Sequence, residues 1–480
     1  MVSGPVLAVD QGTSGTKALV VCPERGVLGA ATAPVRPRYL PGGRVEVDPA
    51  ELLGSVLDAG ARALAEAGEP VVAAGLANQG ETVLAWDPAT GDPLTDAIVW
   101  QDRRAETICR ELDAHGAELS SLTGLPLDPY FAAPKMAWIR RHLTRDGVVT
   151  TSDAWLIHRL TGAFVTDAAT ASRTQLLDLD TADWSPRAVG LYGLDTEKLP
   201  EVVDAAGEFG TIAAFDGPPV PLTGLLVDQQ ASLLAHGVTA PGAAKCTYGT
   251  GAFLLAHTGD RPRRGSSGLV SCVAWRLAGR GTDYCLDGQV YAAASAVRWL
   301  TDLGVIDGPH ALDPVGATAP DSGGVTFVPA LSGLAAPWWR GDARGSLTGL
   351  GLETSPGHLV HALCDGIAAQ VVALAEAAGA DLGAPLASLR VDGGLTRSEL
   401  LMQTQADLLQ LPVEVSAVPD TTALGAAAAA HLGLDAGLSV EDAVGRVGAG
   451  PAARVYEPRI DAARAEERLA RFRSAVDRSS

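Results

Sequence analysis

A strand–turn–strand pattern, with a turn built from Gly, Thr and Ser, occurs twice in this chain. Pro5–Asp10 (PVLAVD) and Thr16–Cys22 (TKALVVC) flank the turn QGTSG at 11–15, and Ala244–Tyr248 and Phe253–Thr258 flank Gly249, Thr250 and Gly251. Apolar runs of this length, bounded by turn residues, are the signature of buried strands. The turns join strand to strand, so neither is the phosphate loop of P-loop proteins, which opens a helix and carries GxxxxGK[ST]. Successive backbone N–H groups in such a turn form an anion-binding nest; an ordinary hairpin turn fits the same residues. The two copies read as a weak internal repeat, and two halves that each open on a Gly/Thr hairpin can clasp a polyphosphate from both sides.

With 480 residues the chain is too long for one core, which predicts two to four domains. The apolar fraction of 47% and charged fraction of 19% are those of a globular protein. A net charge of −20 argues against a general nucleic-acid binder, which needs basic surface to neutralise phosphates. Cys22, Cys109, Cys246, Cys272, Cys285 and Cys364 form no CxxC pair and no Cys/His cluster, so they read as reduced core residues of a cytoplasmic protein. The first ten residues, MVSGPVLAVD, lack a basic segment and a signal-type apolar core, and no uninterrupted apolar run predicts a membrane span. Lys17, Lys135, Lys198 and Lys245 are the only lysines.

Between the hairpins, Leu52–Ala67 has helical periodicity and Val71–Asn78 reads as a strand ending on Gln79, Gly80, Glu81 and Thr82. Arg104–His115 reads as a surface helix, LDPYF at 127–131 as a turn before a helix around Lys135–His142, and Asp183–Tyr192 as a helix. The stretch TGLLVDQQASLLAHG (223–237) predicts a buried strand, one carboxylate, two glutamines and a helix start. Open α/β sheets bind ligands at the carboxyl ends of their strands, where Asp228 lies. It can serve there as a proton acceptor or simply as a helix cap. Further on, Trp338 and Trp339 read as a substrate wall or as loop packing. Ser388–Asp392 is a strand followed by Gly393 and Gly394, a step that lets a ligand approach the backbone and a helix N-terminus. Thr421–Leu432 is an Ala-rich helix whose small side chains allow tight packing, and the tail from Glu441 reads as helical. Three Gly-rich turns after strands, with Asp10 and Asp228 at two strand ends, predict a nucleotide cleft between two α/β halves. Two carboxylates beside a phosphate nest suit Mg²⁺.

The chain resembles the FGGY carbohydrate kinases, and within them the glycerol kinases. The stretches that carry the resemblance are LAVDQGTSGTKALVV, NQGET, AIVWQDRRAE, LDPYF, SDAWLIHRLTG, TDAATASRT, DQQASLLAHG, TYGTGAF, PALSGLAAPWWRGDARGSLTGL, RVDGGLTRSELLMQTQADLL and TTALGAA, in order from Leu7 to Leu434. It implies an α/β fold of two actin-like (ribonuclease H-like) ATPase domains with the active site in the cleft between them. The boundaries expected are 1–238 for the N-terminal domain, 239–440 for the C-terminal domain, and 441–480 for a helical tail packed on the second domain. By position the resemblance makes Asp228 the general base and makes Asp10 and Asp228 the Mg²⁺ ligands. Thr13, Ser14, Gly15 and Lys17 fall on the first phosphate loop, Gly249, Thr250 and Gly251 on the second. Ala294, Arg298, Gly393, Gly394 and Ser398 fall on the nucleotide side. Gly80, Glu81, Trp100, Tyr130, Asp228, Gln229 and Phe253 fall on the polyol. ATP and Mg²⁺ are the implied cofactors, a small polyol or sugar the partner, and a homodimer or homotetramer the expected assembly.

Four positions depart from the glycerol kinase pattern. Gly80 stands where those enzymes carry an arginine, which removes charge-assisted hydrogen bonds worth about 1.5–3 kcal/mol each and is expected to open space for a four- or five-carbon polyol. Lys17 replaces an arginine, keeping charge and losing the planar fork. Ala294 and Arg298 replace Gly and Gln, and DGPPVP at 216–221 lacks a loop that binds fructose 1,6-bisphosphate. The competing expectations are a xylulokinase-like ketopentose kinase, against which NQGET speaks, and a non-catalytic sugar-binding regulatory protein.

Overall fold

The computed structural model describes residues 4–215, 217–448 and 452–478. Asp216, the first residue of the DGPPVP segment, and parts of the tail assigned to 441–480 lie outside the described residues.

The first Gly/Thr hairpin is the centre of the first sheet. Strands β1 (Val6–Gln11) and β2 (Gly15–Cys22) pair antiparallel, β3 (Gly26–Pro34) extends the meander, and β4 (Ala73–Asn78) and β5 (Val220–Val227) add parallel on the other side. A two-residue edge strand completes the order Thr211–Ile212, β5, β4, β1, β2, β3. Nearly every residue of β1, β4 and β5 is buried, as strands covered on both faces require. The helix Pro49–Ala67 packs on β2 and β3; Asp48 accepts from the Ala50 N–H at 2.8 Å, Pro49 supplies the first turn, and Gly68 ends it at φ 68°.

The second hairpin repeats the pattern. Strands β6 (Ala243–Tyr248) and β7 (Ala252–Gly259) pair antiparallel, β8 (Val270–Leu277) and β9 (Gly281–Val290) extend that side through β9, and β10 (Ser388–Asp392) and β11 (Val413–Val415) add parallel to β6. The core order β9, β7, β6, β10, β11 copies β3, β2, β1, β4, β5 strand for strand. The repeat first visible as two Gly/Thr turns is therefore a repeat of topology.

The chain does not keep the two sheets apart. The helix Thr421–Leu434 packs against β1, β4, β5 and the helix Asp228–Ala235, although it follows the second sheet in sequence. The tail also differs from the helical expectation: Arg454–Tyr456 (β12) pairs antiparallel with β11 before the helix Ala462–Asp477. That last helix buries Leu469, Phe472 and Val476 against Val328, Val372 and Leu408.

Two expected helices are shorter than their apolar periodicity. Arg104–His115 is interrupted: Arg104 forks onto Asp102 at 2.7–2.9 Å, the helix spans Glu106–Glu111, and a 3-10 turn follows at Asp113–His115. In Asp183–Tyr192, Asp183–Trp184 pairs with Leu177–Asp178, and Ser185 caps a helix confined to Pro186–Leu191. Among the described residues one helix, Pro356–Leu382, is long and apolar enough to cross a membrane, and 72% of its most apolar window is buried inside the protein. All six cysteines are free and buried.

Candidate active site

Asp10 is the penultimate residue of β1 and Asp228 follows β5 directly, so the sheet itself carries both carboxylates to its carboxyl end. Val227, with φ −73° and ψ 149°, occupies the cap position of the helix Asp228–Ala235; Asp228 is its first helical residue and makes no cap to the second or third N–H. Its Oδ1 accepts the adjacent Gln229 N–H, at 2.7 Å. Burial, then the Glu81 carboxylate, push the Asp228 pKa up to about 7, opposed by the Gln229 N–H, Lys245 and Arg173. Asp10 is pushed to about 7 as well, by burial and then by Asp228, with Lys17 opposing. Two buried carboxylates, the charge of Asp228 adding to the rise at Asp10, form an all-oxygen donor pair, which fits a hard divalent cation. Among the described residues no group of three or more His, Cys, Asp or Glu is arranged around a metal position, so such a cation would keep waters or phosphate oxygens as its other ligands.

The first hairpin turn is closed by Gly12 N–H to Gly15 O at 3.0 Å. Gly15 lies so close to β3 that a Cβ there would be 3.0 Å from the Ala33 carbonyl. Thr13 accepts the indole N–H of Trp100 at 2.8 Å, and Ser14 is exposed at the tip. Lys17 is ion-paired with Asp420, the left-handed residue (φ 68°) before the helix Thr421–Leu434. The second turn is closed by Gly249 N–H to Gly251 O at 2.9 Å. A Cβ on Gly251 would stand 2.3 Å from the Val290 carbonyl, so only glycine fits. Thr250 O and Gly249 O accept from Ala293, Ala294 and Ser295, which ties this turn to the start of the helix Ala294–Asp302. Gly393, at φ 95°, packs on the Tyr248 backbone, where a Cβ would be 2.4 Å from Tyr248 O. The third glycine turn thus adjoins the second, and Gly394 beside it has open space at its Cβ.

Two nucleotide-side candidates have side-chain partners outside this backbone cluster. The Arg298 side chain is 83% exposed and approaches Asp302 at 3.9 Å. Ser398 is buried; its hydroxyl caps the Leu401 N–H at 3.2 Å and donates to Asp313 at 2.6 Å. The strand ends and glycine turns adjoin one another in the structure, whereas the side chains of Arg298 and Ser398 answer to solvent and local capping.

On the polyol side, Gln79 N–H donates to Gln11 O at 2.7 Å, joining the loop after β4 to the first hairpin. Thr82 N–H donates back to Gly80 O at 2.8 Å with Glu81 between them at φ 60°. This is the rare γ-turn with positive φ, strained for a glutamate and of the kind found at functional sites. Gly80 is buried, and a Cβ there would meet Cγ2 of Val227 at 3.1 Å. The room expected from the missing arginine is therefore bordered by a valine methyl. Trp100 and Tyr130 meet edge to face at 5.6 Å. Tyr130 is set by Lys135, whose ammonium donates to the carbonyls of Pro129, Tyr130 and Phe131 at 2.5–3.0 Å, and burial pushes the Lys135 pKa down to about 8. Gln229 Oε1 accepts from Lys245 at 2.6 Å, and half-buried Phe253 pairs with Gln289 across β7 and β9.

Three residues at this site were not singled out from the sequence: Arg173, which binds Glu81 at 2.6 Å; Lys135; and Lys245. The scarcity of lysine was a usable signal, since Lys135 and Lys245 contact candidate polyol residues and Lys17 stands on the first hairpin. Arg173 lay in TDAATASRT without any local pattern to mark it. Trp338 and Trp339 are packing residues: Trp338 faces Phe472, and Trp339 donates to Gly268 O at 2.6 Å.

The profile of the N-terminal domain of the FGGY family of carbohydrate kinases matches residues 5–235, and that of the C-terminal domain matches 244–434. The chain belongs to the FGGY family of carbohydrate kinases. Among its relatives, a glycerol kinase of Gloeobacter violaceus is 45% identical over 441 residues, covering 90% of this chain and 88% of the other. A glycerol kinase of Alkalilimnicola ehrlichii is 41% identical over 496 residues, covering 99% and 98%. The crystal structure of Plasmodium falciparum glycerol kinase with ADP superposes with a TM-score of 0.92 at 30% identity, covering 99% of this chain and 98% of that one. A xyloylose kinase from Brucella ovis superposes at 0.84 with 26% identity, covering 98% and 97%.

Proposed function

We propose that this protein transfers the γ-phosphoryl group of ATP to a terminal hydroxyl of glycerol, with Asp228 as the general base. The observation that carries the reading is Asp228 itself: a carboxylate at a strand end, raised to about 7, within the field of Glu81 and beside Gln229. A base with a pKa near the working pH is the one best matched to taking a proton from an alcohol. Relatives at 40–45% identity along nearly the whole chain are glycerol kinases, which supports glycerol over a ketopentose.

Glu81 and Gln229 hold substrate hydroxyls, while Trp100, Tyr130 and Phe253 supply the apolar wall and exclude water. The turns at 12–15, 249–251 and 393–394 offer backbone N–H groups to the phosphates and ribose, with open space at Gly394. Lys17 adds positive charge at the first turn. Mg²⁺, when bound, neutralises phosphoryl charge, and Asp10 and Asp228 are the donors that would hold it. Asp228 then accepts the proton as the hydroxyl oxygen attacks phosphorus in line. Six reduced, buried cysteines accord with a cytoplasmic enzyme.

The test couples ADP release to a panel of glycerol, C4 and C5 polyols, and ketopentoses, with Asp228→Asn as control. Glycerol is expected to give the highest kcat/KM, and the variant to lose about 10²–10⁴ in kcat. No ADP above the control on any substrate would overturn the kinase reading. A longer polyol or D-xylulose outpacing glycerol would overturn the choice of substrate.

A further inference from the structure

Arg173 ends the short helix Ala168–Ser172 and is 4% exposed. Its Nε donates to Glu81 Oε1 at 2.6 Å, and its Nη1 lies 2.8 Å from both Asp287 Oδ2 and Cys272 Sγ. Glu81 belongs to the loop after β4 of the first sheet; Asp287 and Cys272 belong to β9 and β8 of the second. One guanidinium thus joins the strained polyol-side carboxylate to the opposite half of the molecule. Its plane is framed by the rings of Phe131 at 5.5 Å and Tyr130 at 5.9 Å. The helix bearing it is pinned to the same sheet, since Val273 N–H donates to Ser172 Oγ at 3.1 Å.

The other hydroxyl partner is held alike. Gln229, on the first half, accepts from Lys245, a fully buried lysine of β6 on the second, whose ammonium also donates to Thr247 at 3.0 Å. Both residues proposed to hold polyol hydroxyls, Glu81 and Gln229, are therefore fixed through a buried cation to the second sheet.

We propose that Arg173 is a positioning residue for the polyol: it holds the Glu81 carboxylate in its γ-turn and, through Asp287, makes that geometry depend on the two halves being together. The inference rests on the polyol-kinase reading above. Gly80 brings no side chain to this part of the pocket, so Arg173 is the guanidinium that sets Glu81. Removing the planar fork while keeping charge leaves Glu81 paired and misaligned. Such a loss appears in ground-state polyol binding and leaves the nucleotide side unchanged.

The test compares wild type, Arg173→Lys and Asp287→Asn, each confirmed folded by its thermal midpoint, on glycerol, propane-1,2-diol and propane-1,3-diol. Arg173→Lys is expected to raise the glycerol KM at least about tenfold, with the ATP KM within about twofold. Asp287→Asn should show a smaller rise of the same pattern. The penalty should shrink to about threefold or less on the diol lacking the hydroxyl that Glu81 takes, because there is nothing left for Arg173 to position. Equal penalties on glycerol and both diols, or polyol and ATP KM rising together, would reduce Arg173 to a structural ion pair and overturn the inference. If Arg173→Lys does not fold, Asp287→Asn alone decides, because it leaves Arg173 and Glu81 in place. A wild type that prefers another panel substrate overturns the choice of glycerol, and the same variants are then compared on that substrate and its deoxy analogues. A wild type inactive on the whole panel overturns both readings.

Discussion

Val227 and Gly80 meet where the residue before the proposed general base passes the residue before the glutamate proposed to bind a hydroxyl. With 3.1 Å between the Gly80 Cβ position and Cγ2 of Val227, a side chain at 80 requires the valine to give way by a few tenths of an ångström. The methyl thus stands beside the residues adjoining Asp228 and Glu81, and it would present hydrocarbon to the proposed polyol pocket. Val227→Ala is expected to admit an extra hydroxymethyl group and raise the kcat/KM ratio of erythritol to glycerol at least about tenfold, the scale of one carbon in a close-fitting pocket. The variant should lose about 1–2 kcal/mol of stability from the deleted methyls. An unchanged ratio in steady-state assays would remove Val227 from the pocket wall. Asp10, Asp228 and the glycine turns were legible in the sequence because each is announced by its immediate neighbours, an apolar strand before and a turn after. Arg173 was not, because its partners Glu81 and Asp287 are 92 and 114 positions away and only the assembled sheets bring them together.

At the scale of elements, the helix Thr421–Leu434 is the part whose composition was readable and whose place was not. TTALGAAAAAHLGL predicts close packing, and the contacts are closer than any side chain other than glycine allows. A Cβ on Gly75 would be 2.0 Å from Ala426 O, one on Gly425 1.9 Å from Ala231 O, and one on Gly433 2.1 Å from Thr223 O. Chain order placed this helix with the second domain; the glycines of β4 and β5 that receive it lie hundreds of residues earlier, and no periodicity connects them. His431 is the helix's one imidazole, fully buried, with neither ring nitrogen hydrogen-bonded among the described residues. Burial, then the Arg446 charge, push its pKa down to about 4, with Glu24 opposing weakly. The unfolded chain, at about 6.5, binds the proton more readily than the folded one, so this residue favours folding above pH 6.5 and the advantage is lost as pH falls toward 4. Urea denaturation should show up to about 3 kcal/mol of such loss, and His431→Leu should remove that part of the slope. Parallel pH profiles for the two proteins would show that His431 is already charged, or hydrated, in the native state.

The whole molecule follows from the two hairpins repeating one sheet order, yet its halves are not independent bodies. One apolar cluster runs from Val6, Ala8 and Val21 through Leu226, Leu233 and Ala427 to Val270, Val273 and Tyr284, so residues of both sheets share it. Polar ties cross the same boundary. Ser232, on the Asp228 helix, and His236, which caps its end, meet the buried carboxylate of Asp392 at the end of β10, at 3.0 and 3.1 Å; burial raises the Asp392 pKa, but His236, then Lys245, hold it well below the usual carboxylate range. Lys17 reaches Asp420, and Arg173 reaches Asp287. Separable domains meet across surfaces resembling transient interfaces; here a helix of one half completes the core of the other. Calorimetry is therefore expected to give one cooperative unfolding transition with calorimetric and van't Hoff enthalpies in agreement. Saturating polyol should move that transition as a unit, by an increment set by ligand concentration over Kd. Two resolved transitions, with only one displaced by polyol, would mean that the shared cluster and its ion pairs contribute little and that the halves fold as separate domains. In that case the segment 1–238 expressed alone should fold without the Thr421–Leu434 helix, leaving the backbone at Gly75 and Gly224 exposed to water where that helix now lies.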